Sequence, residues 1–170
     1  MNVLTIESPV GPLTAVCTER ALCAVRFTHG GCAGEKRIAE LNPSPQPSTE
    51  VIRGDDALGL RERFDAYFAG ETDAFDGLTL DAGGTAFQES VWAVMLAIPF
   101  GQTRTYGSIA KELGNPSASR AVGAASGANP IPIVTPCHRV VGADGSLTGF
   151  GGGLRAKERL LEHECGSLFV

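Results

Sequence analysis

A cysteine followed directly by a histidine, Cys137-His138, is the feature of this 170-residue chain that is best suited to chemistry. The residues before it, 131–136, are mostly apolar and include two prolines, which favours a rigid turn. A cysteine is a nucleophile in its thiolate form, and a nearby base lowers the cost of forming that thiolate. Adjacent side chains in a strand point to opposite faces, so the pair can act together only if the backbone turns here. Without further context, an adjacent Cys-His pair is more often structural than catalytic.

The charge distribution limits which part of the chain could bind a polyanion. The net charge is −5, but residues 1–84 carry 7 Lys and Arg against 13 Asp and Glu, whereas residues 85–170 carry 7 against 6. A nucleic-acid-binding face must therefore lie in the second half and make only a few phosphate contacts. The chain has no apolar run near the roughly 18 residues of a membrane span and no signal-peptide pattern at its start. We therefore expect a cytoplasmic protein.

Five cysteines without a secretion signal favour free thiols over a disulfide framework. The spacing of Cys17, Cys23, His29 and Cys32 matches no compact zinc pattern. Ligands that are distant in sequence could still converge, so a zinc site in the first half stays open beside the plainer interpretation of buried small hydrophobic residues. We expect no metal and no cofactor.

The first half has the pattern of a small sheet followed by a helix. Short segments rich in β-branched residues predict strands at 3–6, 13–16 and 22–27, and a proline-rich loop lies at 42–48. Leu60, Phe64, Tyr67 and Phe68 then fall on one helical face, which Gly70 closes. Residues 1–80 are expected to form an N-terminal α/β domain with an antiparallel sheet.

The second half has a helical pattern. Thr85 and Gln88 have capping-box spacing, and an apolar face follows at Phe87, Val91, Val94, Met95 and Ile98. Thr105 and Ser117 are suited to cap two short helices, at 106–113 and 118–126, that flank a Gly-containing turn. We expect residues 81–170 to form a helical domain with a winged-helix-like helix-turn-helix, in an α/β (α+β) fold.

The second of these short helices is made of small residues, with Arg120 as its one long side chain. One interpretation is tight packing against another helix. The other is close approach to a minor groove, which is only about 6 Å wide, with the arginine entering the duplex.

An ordered set of segments in the second half resembles the O6-alkylguanine-DNA alkyltransferases. The resemblance runs without a gap from Thr85 to about Leu168. The first half resembles the family's variable N-terminal domain less decisively, through residues 8–13. The main matching segments are Phe87-Gln88-Glu89-Ser90-Val91-Trp92, Ile98-Pro99-Phe100-Gly101-Gln102-Thr103-Arg104-Thr105-Tyr106-Gly107, Arg120-Ala121-Val122-Gly123, Asn129-Pro130, Pro136-Cys137-His138-Arg139-Val140 and Gly151-Gly152-Gly153-Leu154.

The resemblance implies direct reversal of DNA damage, in which an alkyl group of O6-alkylguanine in duplex DNA moves once and irreversibly to Cys137. His138 would withdraw the thiol proton through a bound water. Glu164 would orient His138, with Glu162 as the competing choice. Whether O4-alkylthymine is also a substrate stays open.

The resemblance also implies roles around this centre. Asn129 would brace the turn between the recognition helix and the active-site strand. Tyr106 would donate to the guanine ring and push against the phosphate of the flipped nucleotide, and Arg120 would fill the gap in the base stack. Further DNA contacts are expected from Ser119, Ala121 and Gly123. The substrate pocket is expected to comprise Pro132, Val140, Phe150, Gly151 and Gly152.

Two positions depart from the family pattern, because Phe150 replaces a common tyrosine and Gly151 replaces a serine of some members. Two other classes of protein fit the sequence less well. A non-catalytic sensor of alkylated bases has the same fold but lacks the cysteine. A cysteine hydrolase would leave the helix-turn-helix unexplained. The expected partner is double-stranded DNA, bound through its minor groove by a monomer that needs no membrane and no obligate protein partner.

Overall fold

A three-stranded antiparallel sheet opens the chain in the computed structural model, which describes residues 1–28 and 56–166. Its strands are β1 (Asn2–Ile6), β2 (Leu13–Cys17) and β3 (Leu22–Phe27), in the order β1-β2-β3. The register shifts between Val16 and Cys17 where β2 meets β3. The three predicted strands are confirmed, with β1 and β2 each one residue longer than expected. The proline-rich segment 42–48 lies outside the described residues.

Helix α1 (Leu60–Phe68) covers the sheet with the predicted apolar face. Leu60, Phe64 and Tyr67 are buried, and the Asp56 carboxylate accepts hydrogen bonds from the first backbone N–H groups of the helix. Gly70 has a φ of 97°, a left-handed conformation that glycine adopts without steric cost, and the helix has ended just before it.

The second half is helical, as predicted. Its helices are α2 (Ala86–Leu96), α3 (Tyr106–Glu112), α4 (Ser119–Gly127) and α5 (Leu154–Cys165). Short 3-10 turns lie at Pro116–Ala118 and Cys137–Arg139, and β4 (Arg104–Thr105) pairs in parallel with β5 (Val140–Val141). The Thr85–Gln88 capping box is present, and the Thr105 side chain caps α3 by accepting from the Ser108 N–H. Helices α3 and α4 with the turn between them form the predicted helix-turn-helix.

Two details of the helix predictions are wrong. Ser117 does not cap α4, because it lies inside the 3-10 turn that Pro116 begins, and its hydroxyl bonds to Asn115 instead. Phe87 does not belong to the buried face of α2 and is 40% exposed. Trp92 occupies that face in its place, with its indole N–H donating to the Ala125 carbonyl of α4 at 2.9 Å.

Two apolar clusters form the core. The first contains the sheet and α1 together with Ile131, Ile133 and Val134 and residues of α5. The second joins α2, α3 and α4 to Cys137 and Val140. The first cluster therefore contains side chains from both halves of the chain, and the domain boundary at residue 80 stays a prediction. Within residues 1–28 and 56–166, no helix is long and apolar enough to cross a membrane.

Candidate active site

Cys137 and His138 lie on a turn, where the backbone allows their side chains to act together. Residues Cys137–Arg139 form a 3-10 helix, and β5 begins only at Val140. The active-site residues therefore lie on a turn that precedes a strand, and not on the expected strand itself. The Cys137 N–H stabilises this turn by donating to the Thr135 carbonyl at 2.8 Å. Both side chains are buried, with residue exposures of 7% for Cys137 and 0% for His138.

Asn129 holds the chain that leads into this turn. Its side-chain oxygen accepts from the Ile131 N–H at 3.0 Å, and its amide donates to the Thr135 carbonyl at 2.8 Å. Between these contacts Ile133 has a φ of 76°, a conformation that costs a non-glycine residue about 1–3 kcal/mol. The Asn129 side chain also lowers the pKa of Cys137, against the larger effect of burial. The bracing position expected for Asn129 is thus where the structure places it.

Glu164, near the end of α5, is the centre of a buried hydrogen-bond network. Its Oε1 lies 2.7 Å from His138 Nε2 and accepts from the Tyr67 hydroxyl at 2.6 Å. Arg139 donates to both carboxylate oxygens, from Nε at 2.7 Å and from Nη2 at 2.9 Å. The Gly101 N–H is a further donor, at 3.2 Å. Glu162, the competing choice, is exposed on the same helix.

The network fixes the charge of Glu164 and the proton positions on His138. Burial alone would raise the pKa of Glu164, but hydrogen bonds from His138 and Arg139 hold it well below its usual range. Burial lowers the pKa of His138, so the imidazole is neutral at rest. The ionised carboxylate places the proton on Nε2. Nδ1 is then the accepting nitrogen, and it is buried without a hydrogen-bond partner among the described residues.

Cys137 rests as a thiol. Burial raises its pKa to about 11, against smaller opposing effects of the Asn129 hydrogen bond and the Lys157 charge. A thiol with this pKa needs a base at the moment of reaction, and a neutral imidazole is the group that can accept the proton.

Lys157 is a buried cation close to the thiol. Its residue exposure is 0%, and its ammonium donates to the Val140 carbonyl at 2.6 Å and to the Thr148 carbonyl at 2.8 Å. Burial lowers its pKa to about 8. The ammonium therefore clamps the two ends of the segment 140–148 and places positive charge where a thiolate would form.

A cleft of about 690 Å³ lies beside the helix-turn-helix and brings together several residues singled out in the sequence. Tyr106, Ser119, Arg120 and Gly123 line one side, and the glycine-rich loop lines the other. Thr148 donates to the Tyr106 hydroxyl at 3.2 Å. The loop residues in the lining are Gly149, Phe150 and Gly151.

Other expected pocket and DNA-contact residues lie elsewhere. Val140 packs with Cys137 in the second core cluster, and Pro132 is buried. Gly152 is pressed against the Phe27 ring, where an added Cβ would approach ring carbons to 2.8 Å. Ala121 is exposed on α4 outside the cleft lining. Pro132, Val140 and Gly152 are thus not among the residues that line this cleft, and their pocket roles stay predictions.

Helix α4 packs some of its small residues and exposes others, so the packing interpretation is confirmed and the minor-groove interpretation stays a prediction. Val122, Ala125 and Ser126 are buried on the face toward α2 and α3. Arg120, Ala121 and Ala124 are exposed on the opposite face. The exposed face is therefore smooth and carries one long cation at its first turn.

Three residues at the site were not assigned in the sequence: Tyr67 and Arg139, which bond to Glu164, and Lys157, which lies close to the thiol. Arg139 belongs to the matched Pro-Cys-His-Arg segment and could have been given a role. Lys157 shares a helical face with Leu160, Leu161 and Glu164, a spacing that indicates burial. The sequence indicates only that Tyr67 is an aromatic residue of the core, because its hydrogen-bond partner Glu164 is 97 residues away.

The residues considered for a zinc site lie in the first half of the chain. Cys17 and Cys23 are buried, while His29 and Cys32 lie outside the described residues. In the described part of the chain, no group of three or more His, Cys, Asp or Glu side chains could hold a metal ion.

The fold and site define a class of protein in which a buried cysteine, followed by a histidine that contacts a buried glutamate, packs against a helix-turn-helix. Known proteins with this arrangement specify the family. Residues 3–82 match the ribonuclease-like domain of 6-O-methylguanine DNA methyltransferase, and residues 86–166 match its DNA-binding domain. The chain belongs to the 6-O-methylguanine DNA methyltransferase family, which confirms the resemblance seen in the sequence.

Named relatives and solved structures cover nearly the whole chain. The methylated-DNA--protein-cysteine methyltransferase of Methanosarcina acetivorans is 47% identical over 164 residues, covering 96% of this chain and 98% of the relative. That of Mycobacterium tuberculosis is 45% identical over 160 residues, covering 94% and 90%. The crystal structure of Mycobacterium tuberculosis OGT in complex with DNA has a TM-score of 0.78 at 41% identity, covering 97% of this chain and 93% of that one.

Proposed function

We propose that this protein repairs alkylated DNA by transferring a methyl or other alkyl group from the O6 atom of guanine to Cys137. The observation that carries the proposal is the buried thiol beside the His138–Glu164 pair. The names of the relatives support the same activity, methylated-DNA--protein-cysteine methyltransfer. The fold and composition of the site suit a reaction of the protein with its own side chain, since no cofactor is required.

The proposed transfer begins with a proton. The Cys137 proton passes through a bridging water to His138 Nδ1, and Glu164 stabilises the imidazolium that forms. The thiolate attacks the alkyl carbon, a sulfur–carbon bond forms, and the bond from that carbon to O6 breaks. The electron pair leaves with O6, and guanine takes a proton from the Tyr106 hydroxyl or from water as it returns to its ordinary form. The imidazolium gives its proton to water, so no net proton is gained or lost. The Tyr106 hydroxyl, at the edge of the cleft, is placed to donate to the guanine ring.

Lys157 contributes an electrostatic effect to the same step. Its ammonium favours the thiolate over the thiol, which offsets part of the effect of burial on Cys137. Its two carbonyl contacts also hold the loop that bears Phe150 at the cleft. Phe150 can contact an alkyl group through its ring, although it lacks the hydroxyl of a tyrosine.

The proposed DNA-binding surface is the exposed face of α4. Its small residues suit close approach to the minor groove, and Arg120 replaces the nucleotide that rotates out of the stack. Flipping costs a few kcal/mol, and stacking by the guanidinium offsets part of that cost. The cleft beside Tyr106 and Gly123 is large enough to receive the flipped base.

The product and the state of the protein complete the proposal. The carbon–sulfur bond of a thioether resists hydrolysis because a thiolate is a poor leaving group from an alkyl carbon, so each molecule reacts once. The protein acts as a monomer in the cytoplasm. Size-exclusion chromatography at working concentration and cell fractionation test these two points.

The activity is tested with duplex DNA that carries one O6-methylguanine. Unmodified guanine should appear in an amount equal to the protein added, and Cys137→Ala should bind this DNA but restore none. Binding by the wild-type protein without restoration would favour the sensor alternative. Restoration that exceeds the protein added would contradict single-use transfer.

A further inference from the structure

Tyr67, in the last turn of α1, connects the N-terminal half to the reacting groups. Its hydroxyl is buried and donates to Glu164 Oε1 at 2.6 Å, across a sequence separation of 97 residues. That oxygen is the one His138 Nε2 contacts. Among the described residues of the first half, Tyr67 is the member that hydrogen-bonds to this carboxylate. The N-terminal half is therefore in direct contact with the group that orients His138.

The tyrosine ring is held firmly enough to fix its hydroxyl. Phe68 and His163 lie with ring centroids 4.9 and 5.3 Å away, and Phe75 and Phe100 lie at 5.4 and 5.9 Å. His163 Nε2 is also 2.8 Å from the Tyr67 carbonyl, so α5 is bonded to both the backbone and the side chain of this residue. A hydroxyl in this setting has one direction available, toward Glu164.

The kind of donor matters because Glu164 must support a positive charge on His138. Arg139 stabilises the carboxylate with two hydrogen bonds, but its own charge opposes protonation of His138. The Tyr67 hydroxyl donates without a net charge. It can therefore keep the carboxylate oriented while opposing the imidazolium less than a second cation would.

We propose that Tyr67 is a positioning residue for the transfer, through which the N-terminal half takes part in activating Cys137; this rests on the proposed function. Removing the hydroxyl leaves Oε1 with one donor fewer, so it becomes a stronger acceptor for His138. The midpoint of His138 protonation then rises, while the carboxylate is less firmly oriented and the transfer slows. The titratable and charged groups around His138 are Glu164 and Lys157 on α5, Cys137 and Arg139 in its own turn, and Tyr67 on α1.

The experiment compares the full-length wild-type protein with Tyr67→Phe and with Phe64→Leu. Phe64 is buried on the same face of α1 but its side chain has no polar group, so its replacement loosens packing without touching the carboxylate. Three quantities are measured: the pH dependence of methyl transfer from O6-methylguanine duplex, the His138 titration by NMR of unreacted protein, and the unfolding temperature.

For Tyr67→Phe we expect a higher His138 midpoint and a plateau transfer rate lower by about tenfold, since a hydrogen bond to a charged group is lost. Phe64→Leu should lower the unfolding temperature and leave the His138 midpoint unchanged. An unchanged midpoint in Tyr67→Phe, or equal midpoint shifts in both variants, would overturn the proposal. Absence of transfer by the wild-type protein would instead overturn the proposed function, and the NMR titration would still decide whether Tyr67 tunes His138.

Discussion

His138 and Glu164 form a buried pair in which Nε2 lies 2.7 Å from Oε1 and both side chains have an exposure of 0%. The carboxylate stays ionised because Arg139 and His138 both bond to it. The contact directs the second ring nitrogen, Nδ1, to be the proton acceptor. In the proposed function, a cysteine whose pKa is about 11 reacts at neutral pH because His138 accepts its proton during the reaction and not before it.

The carboxylate assignment is tested by Glu164→Gln. The amide cannot stabilise an imidazolium, so methyl transfer should slow roughly 10- to 100-fold, and the apparent pKa of the Cys137 thiol should rise. Glu162→Gln is the matched control, because this side chain is exposed on the same helix and its change should leave the transfer rate unaltered. Single-turnover kinetics of both variants decide the matter. Slowing by Glu162→Gln alone would reverse the assignment.

The resting state of the thiol is tested by alkylation. The rate at which iodoacetamide modifies Cys137, followed by peptide mass spectrometry, should rise with pH through a midpoint near 11 and not near 9. The sign follows from burial, which favours the neutral thiol over the thiolate. A midpoint below 9 would mean that a thiolate exists before substrate binds. Cys165 in the same digest provides an internal comparison.

The lowered pKa of buried Lys157 should make the stability of the protein depend on pH. Its pKa of about 8 in the folded protein lies below the ordinary 10.5, so the unfolded chain binds more protons between these values. The free energy of unfolding of the wild-type protein, relative to Lys157→Met, should therefore rise with pH from about 8 to 10.5. Cys137 acts in the opposite direction above its ordinary pKa of 9. Denaturant titrations at pH 7, 8 and 9 thus isolate the lysine, and a flat or falling difference would contradict its burial as a cation.

Arg120 is tested by comparing two substrates. Arg120→Ala should impair repair of duplex DNA strongly but leave reaction with free O6-benzylguanine nearly unchanged, because the free base needs no flipping. Lys111→Ala, an exposed cation on the neighbouring helix α3, is the control for loss of a simple charge. If saturating DNA restores the rate of Arg120→Ala, the arginine is an ordinary phosphate contact and the intercalation proposal fails.

Local signals in the sequence were sufficient for most of the fold. The strands, the Thr85 capping box and the Thr105 cap depend on neighbouring residues, and all three predictions are confirmed. The Ser117 cap was wrong because Pro116 starts a 3-10 turn one residue earlier, a choice between two local geometries that the residue types alone do not decide. Phe87 was placed inward because periodicity cannot tell which aromatic of α2 finds a partner on α4.

The site residues that lie in the segments matching the family could be predicted from the sequence. The residues whose role depends on contacts between distant elements could not. Cys137, His138 and Glu164 were named from the sequence, and the structure brings them together. Tyr67 was not, because its contact depends on how α1 packs against α5. Val140 packs beside Cys137 in the second core cluster and Pro132 is buried, and their expected place in the substrate pocket stays a prediction.

Alkyl transfer to Cys137 is tested most directly by locating the transferred group on the protein. The protein is incubated with duplex DNA carrying O6-methylguanine, digested, and its peptides are analysed by mass spectrometry. We expect one methyl group per molecule, on the peptide containing Cys137, with the reaction stopping when the protein is consumed. A methyl group on Cys165, or continued turnover with Cys137 unmodified, would contradict it.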